Sequence, residues 1–177
     1  MSDSATWPDP FAGLREHADP KEARQALIRK IRARFALNWN GIHGAAHWAR
    51  VWVNGQRVGP SVSADLGVVE LFAWLHDSCR QDDARDPDHG PRAAVWARSL
   101  RGEFFKLDDA RFELLTAACE LHTRGETVAD PTVMTCWDAD RLDLGRVGIE
   151  PNPKYLCTPL AKTPETIQWG LRRSLSK

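Results

Sequence analysis

Apolar residues recur along this chain at helical rather than alternating intervals. Between Asp19 and about Leu37, Ala23, Leu27, Ile28, Ile31 and Phe35 form a stripe at three- and four-residue spacing, which predicts a helix. Asp19-Pro20 supplies its start, an aspartate cap followed by proline at the first helical position. A second helix is predicted over residues 43–55 with Gly55 as its stop, then a loop over 56–63. The most apolar stretch follows, a buried helix from about Ala64 to Asp77 that ends in His76-Asp77. Beyond a polar loop at 80–90, helices are predicted from about Asp88 to Leu100, from Leu107 to about His122 and from Pro131 to about Leu144. The segment from Gly148 to Pro164 holds four prolines and reads as a loop crossing the surface, before a short helix from Thr163 to about Leu171. Residues 1–18 show little periodicity and form an irregular lead-in, with His17 expected to be exposed, and residues 19–177 form one domain. No alternation of strands with helices is present, so the expected class is an all-α helical bundle.

Composition narrows the partners more than the fold. Lys+Arg and Asp+Glu both number 24, so no overall field draws the chain to a nucleic-acid duplex or an anionic membrane. No apolar run reaches the roughly 18 residues of a membrane span. The N-terminal residues lack a basic segment followed by an apolar one, the mark of a signal peptide. Cys79, Cys119, Cys136 and Cys157 have no close pairwise spacing and read as buried free thiols, which fits the cytoplasm.

Chemistry is concentrated in the histidines. Five of the six, His43, His47, His76, His89 and His122, fall at or near predicted helix ends between residues 43 and 122. His43 and His47 are four apart and so expected on one helix face. Asp77 and the acidic run Asp138-Ala139-Asp140-Arg141-Leu142-Asp143 add carboxylates. A neutral imidazole and a carboxylate at the end of an apolar helix are costly to bury unpaired, and a shared cation removes most of that cost. Imidazole with carboxylate suits Zn, Fe, Mn, Co or Ni, with Mg admissible. Arg80, Arg124 and Arg141 each lie within three residues of one of these ligands, and guanidinium forks suit phosphate. Arg50 is read as an internal ion pair holding helices together.

His47-Trp48-Ala49-Arg50-Val51, then His76-Asp77, then Asp138-Ala139-Asp140-Arg141 resembles the HD superfamily of metal-dependent phosphohydrolases. The resemblance spans about residues 40–150. It implies an all-helical fold with a first metal held by His47, His76, Asp77 and Asp140. Asp140 is preferred over Asp138 because it directly precedes the basic residue, and Asp138 is left as a helix-surface group or one behind the ligands. It further implies a second ion held by His89 and His122, with Asp77 bridging. His43 is read as a base or phosphate donor, or else as a packing neighbour of His47. His76 and Asp77 are the expected catalytic pair. The implied activity is hydrolysis of a phosphate ester or anhydride of a small phosphorylated compound, in the first instance a nucleotide, with metal-activated water as nucleophile. Expected partners are that substrate and a second copy of the chain. The alternative is a non-catalytic domain of the same fold that senses a nucleotide or a metal.

Overall fold

The computed structural model describes residues 7–17 and 19–176. Seven α-helices make up the described chain: α1 (Pro20–Arg34), α2 (Ala45–Val58), α3 (Leu66–Leu75), α4 (His89–Leu100), α5 (Asp109–Leu121), α6 (Pro131–Arg141) and α7 (Pro164–Leu175). Among the described residues there is no strand, only an isolated bridge between Arg101 and Phe105. The all-α expectation is met.

Side chains at the helix starts explain where most of these elements begin. Asp19, Asp65, Asp108, Asp130 and Thr163 each accept a hydrogen bond from a backbone N–H in the first turn of α1, α3, α5, α6 and α7. Asp65 is fully buried and is also held by the Arg111 guanidinium of α5, Nη2 to Oδ1 at 3.0 Å.

α3 is the axis of the molecule. Val68, Val69, Glu70, Leu71, Phe72, Ala73 and Leu75 are all buried, and α3 packs against α2, α5 and α6. Leu71, Phe72 and Leu75 have no exposed surface, and burial of each stabilises the fold by about 1.5–3 kcal/mol. Glu70, the one acid in this helix, is neutralised by Arg24 of α1, Nε to Oε1 at 2.6 Å. An apolar helix buried on every side is why the His76-Asp77 doublet at its end finishes in the centre of the protein.

The structure departs from the sequence reading at several boundaries. α1 stops at Arg34, three residues short of Leu37. Gly55 does not end α2. It lies inside the helix because α3 passes so close that a Cβ there would collide with the Val69 side chain. The predicted loop over 56–63 is the last turn of α2 and a 3-10 turn, Gly59–Val62. α6 ends at Arg141, and the chain then tightens into a 3-10 turn, Leu144–Val147. α7 runs on to Leu175.

Two segments read as peripheral contribute to the core. In the lead-in, Phe11 is fully buried and Leu14 nearly so, and Lys106 N–H donates to the Pro10 carbonyl at 2.7 Å. Its His17 is half-buried rather than exposed. In the proline-rich segment, Leu156, Cys157, Thr158 and Ala161 are buried, because the chain turns inward to meet Asp138. No helix among the described residues is long and apolar enough to cross a membrane.

Candidate metal centre

α3 ends at Leu75, and Ser78 closes the turn by donating Oγ–H and N–H to the Leu75 carbonyl at 2.6 and 3.0 Å. His76 and Asp77 therefore sit in the turn just past the helix, where neighbouring side chains can converge on one point. His76 has no exposed surface, and Asp77 is 2% exposed. Around them the bundle gathers His47 from α2, His89 from the start of α4, His122 from the residue after α5, and Asp140 from α6.

These groups form two clusters that share Asp77. In the first, His47 Nε2 lies 3.1 Å from His76 Nε2 and 3.6 Å from Asp77 Oδ2. Asp140 Oδ1 completes it, 3.4 Å from His47 Nε2 and 3.8 Å from His76 Nε2. In the second, Asp77 turns its other oxygen, Oδ1, to His89 Nε2 at 3.0 Å and His122 Nε2 at 3.8 Å. The two Nε2 atoms of that pair are 2.9 Å apart.

All four imidazoles are oriented alike. His47 Nδ1 donates to Asp143 Oδ2 at 2.7 Å, His76 Nδ1 to the Phe72 carbonyl at 3.1 Å, and His122 Nδ1 to the Cys119 carbonyl at 2.7 Å. His89 Nδ1 is engaged by the Asp86 carbonyl. With each Nδ1 committed as donor to an oxygen, each Nε2 carries a lone pair pointing inward. Two such lone pairs facing each other at about 3 Å repel, and a cation between them turns the repulsion into ligation. The residues present thus fit two divalent ions, with mixed nitrogen and carboxylate donors of the kind that suits Mn, Fe, Co, Ni or Zn.

Electrostatics favour the same state for His47 and His76, whereas at His122 burial is outweighed by the carboxylates, Asp77 foremost, which hold the imidazole above its ordinary value. Burial pushes the His76 imidazole down to about 4 and His47 well below its ordinary value, so both are neutral donors at physiological pH. Burial alone would raise Asp77 and Asp140, but the facing imidazoles, His76 foremost, hold both below the usual carboxylate range.

The remaining predicted residues separate cleanly. His43 precedes α2, which begins at Ala45, so it does not share a helix face with His47. The loop nevertheless brings it in: its Nδ1 is 3.0 Å from Asp77 Oδ2 and its Nε2 3.2 Å from the Asp83 carbonyl. Arg80 is also at the centre, its Nη1 3.5 Å from Asp77 Oδ1 and 3.3 Å from His89 Nε2. Arg141 and Arg124 are not. Arg141 is buried on the far side of α6, donating to the Tyr155 carbonyl at 2.7 Å and lying over the Trp137 ring. Neighbours on a helix point about 100° apart, so a residue adjacent to Asp140 cannot follow it inward. Arg124 is more than half exposed, with Glu120 beside it at 3.9 Å. Asp138 is neither on the surface nor behind a ligand. It is fully buried and accepts from Cys157 N–H at 2.6 Å, Thr158 N–H at 2.8 Å and Thr158 Oγ1–H at 2.7 Å.

Two residues of the centre received no role in the sequence reading. Asp143 grips His47 Nδ1 and also receives Arg50 Nε at 2.6 Å, so Arg50 ties α2 to the chain just beyond α6. Arg146, in the turn after α6, brings Nη2 to 3.9 Å from Asp140 Oδ1. In the helix predicted to run to Leu144, Asp143 would share a face with Asp140 three residues earlier, a signal that was available. Arg146 was hidden because it depends on a 3-10 turn that no periodicity announces.

Fold and site together define an HD-type helical bundle with a buried histidine–aspartate centre. No family model matches the sequence, and no curated protein shows a significant match. Among solved structures the chain is similar to the crystal structure of a predicted HD superfamily hydrolase from an uncultured Thermotogales bacterium. The TM-score is 0.63 and the identity 22%, with 84% of each chain covered. At that identity the likeness establishes a shared fold, and the HD-type fold implied by the three sequence elements is the one observed.

Proposed function

We propose that the protein is a metal-dependent phosphohydrolase that cleaves a phosphate ester or anhydride of a small phosphorylated compound, with a nucleotide as the leading candidate. The observation that carries this reading is the division of Asp77, whose two oxygens each face a separate pair of inward-pointing Nε2 atoms. The hydrolase name of the similar structure supports it. Divalent ions bound there would polarise the phosphoryl oxygens and activate water for attack at phosphorus.

The chain's own part is placement. Asp143 keeps the Nδ1 proton of His47 and so fixes which nitrogen faces inward. His43 hydrogen-bonds Asp77 Oδ2 and joins that carboxylate to the 80–88 loop. Arg80 flanks the His89 half and Arg146 the Asp140 half, and both offer guanidinium donors to an anionic substrate. No serine or cysteine nucleophile is required, and the four cysteines are buried free thiols. Such thiols support a cytoplasmic location.

The test is a screen of nucleoside mono-, di- and triphosphates, dinucleotides and cyclic nucleotides with Mn, Co, Fe, Ni and Mg, reading both phosphate and nucleoside products. Metal-dependent release from at least one class is expected. Stoichiometric metal binding with no turnover of any class would leave a sensor instead.

A further inference from the structure

A cationic groove adjoins the metal centre. Its inner pocket, about 60 Å³, lies among Arg34, Ser78, Cys79, Arg80, Gln81 and Arg92. Two broader hollows of about 520 and 460 Å³ share Arg34 with it, and both are lined by Trp96. Arg80 is the link to the centre, since the same Nη1 approaches Asp77 Oδ1 and His89.

Three guanidiniums around so small a space repel one another, and the acids of the adjoining hollows, Asp88 and Glu103, are not among the residues that line the inner pocket. Arg92 is paired with Asp86 at 2.5 Å and donates to the Cys79 carbonyl at 3.0 Å. Arg80 leans on Asp77, whose oxygens the ions would claim. Arg34, at the end of α1, lies over the Trp96 ring at 4.8 Å, and among the described residues no carboxylate pairs with it. The charge balance of the pocket is therefore positive. Its volume suits a tetrahedral oxyanion, and Val95, 74% exposed, and Trp96 line the hollow beyond.

We propose that this pocket binds a second phosphate of the substrate, so that the protein acts on compounds carrying a phosphate or pyrophosphate group in addition to the one hydrolysed. This deepens the phosphohydrolase reading and rests on it. Arg34 would be the specificity residue, a bidentate donor to the group that is not cleaved, with Arg92 adding charge from beside it.

Binding and turnover test it separately. Inorganic pyrophosphate is titrated calorimetrically into full-length protein freed of metal by chelation, with melting curves recorded alongside. Wild type should bind one equivalent, and Arg34→Glu should weaken binding about tenfold with an unchanged melting temperature. Arg34→Lys should fall between, keeping the charge but losing the fork. With metal restored, Arg34→Glu should lower kcat/KM about tenfold for a nucleoside diphosphate while sparing p-nitrophenyl phosphate. No pyrophosphate binding by wild type, unchanged binding in Arg34→Glu, or equal loss on both substrates would overturn the proposal. Pyrophosphate binding that depends on Arg34, without turnover of any phosphate compound, would instead sink the hydrolase reading and leave the anion pocket standing.

Discussion

His47 and Asp140 stand on α2 and α6, helices packed together inside the bundle, whereas His89 starts α4 directly after the 80–88 loop and His122 stands just past the end of α5. The two pairs share Asp77 but are supported differently. His47 is braced by the Asp143 carboxylate, which is itself braced by Arg50 and approached by Arg146. His89 and His122 lean on backbone carbonyls, those of Asp86 and Cys119. A carboxylate behind an imidazole makes it a more basic ligand than a carbonyl does. Close approach also matters more in the second half: a Cβ on Gly90 would strike the Cys119 carbonyl and lie 3.1 Å from His122 Nδ1. The comparison teaches that one half is set by a charged network within packed helices, and the other by loop and backbone. The first should hold its ion more tightly.

The largest effect should come from the residue common to both halves. Asp77→Ala is expected to remove both ions and reduce turnover to background while helicity by circular dichroism stays near native. Two ions retained in that variant would abolish the shared-carboxylate arrangement. Next, His89→Ala and His122→Ala should each lower bound metal from about two ions per chain to about one by elemental analysis. In a chelator titration of the unaltered protein, the ion lost first should be that same one. Loss of the His47-side ion first would reverse the ranking drawn above.

Smaller effects separate support from ligation. Asp143→Asn should weaken metal binding in the His47 half about 10–100-fold, read by competition with a chromophoric chelator, and leave the His89 half unchanged. Asp138→Ala should leave metal content intact and instead cost about 1–3 kcal/mol of stability for each amide deprived of its acceptor, measured by denaturant unfolding. Asp140→Asn should do the opposite, losing metal, while its unfolding midpoint in the presence of a chelator matches that of the unaltered protein under the same conditions. An exchange of these two outcomes would mean that the inward-facing aspartate of α6 had been misassigned.

Much of this organisation was legible in the chain. The apolar run of α3 and its abrupt end at His76-Asp77 announced a buried doublet, and Asp19-Pro20 announced the start of α1. Less legible was anything set by the approach of two distant segments. Gly55 carries the same sequence signal as a stop, yet it serves the crossing of α2 and α3. Asp138 and Asp140 differ only in which way a helix face turns, and it took the inward path of residues 156–158 to give Asp138 its partners. Arg141 drew attention by its nearness in sequence to Asp140, while Arg146, five residues farther on, reaches the centre through a turn. His43 was placed on the wrong element, yet the loop before α2 carries its ring to Asp77 Oδ2.

The spread of the ligands along the chain has a consequence for folding. His47 and Asp140 are separated by most of the domain, and the six candidate ligands come from five successive helices or their ends. Two ions bound there would act as reversible cross-links, one joining α2, α3 and α6 and the other joining the ends of α3 and α5 to the start of α4. At a free concentration a hundred times its dissociation constant, one such ion adds about 2.7 kcal/mol to the native state. That is a substantial part of the roughly 5–15 kcal/mol by which domains are stable at all. The supply of transition metal would therefore govern the amount of folded protein as well as its activity, and metal-starved cells should degrade the chain faster than metal-replete ones.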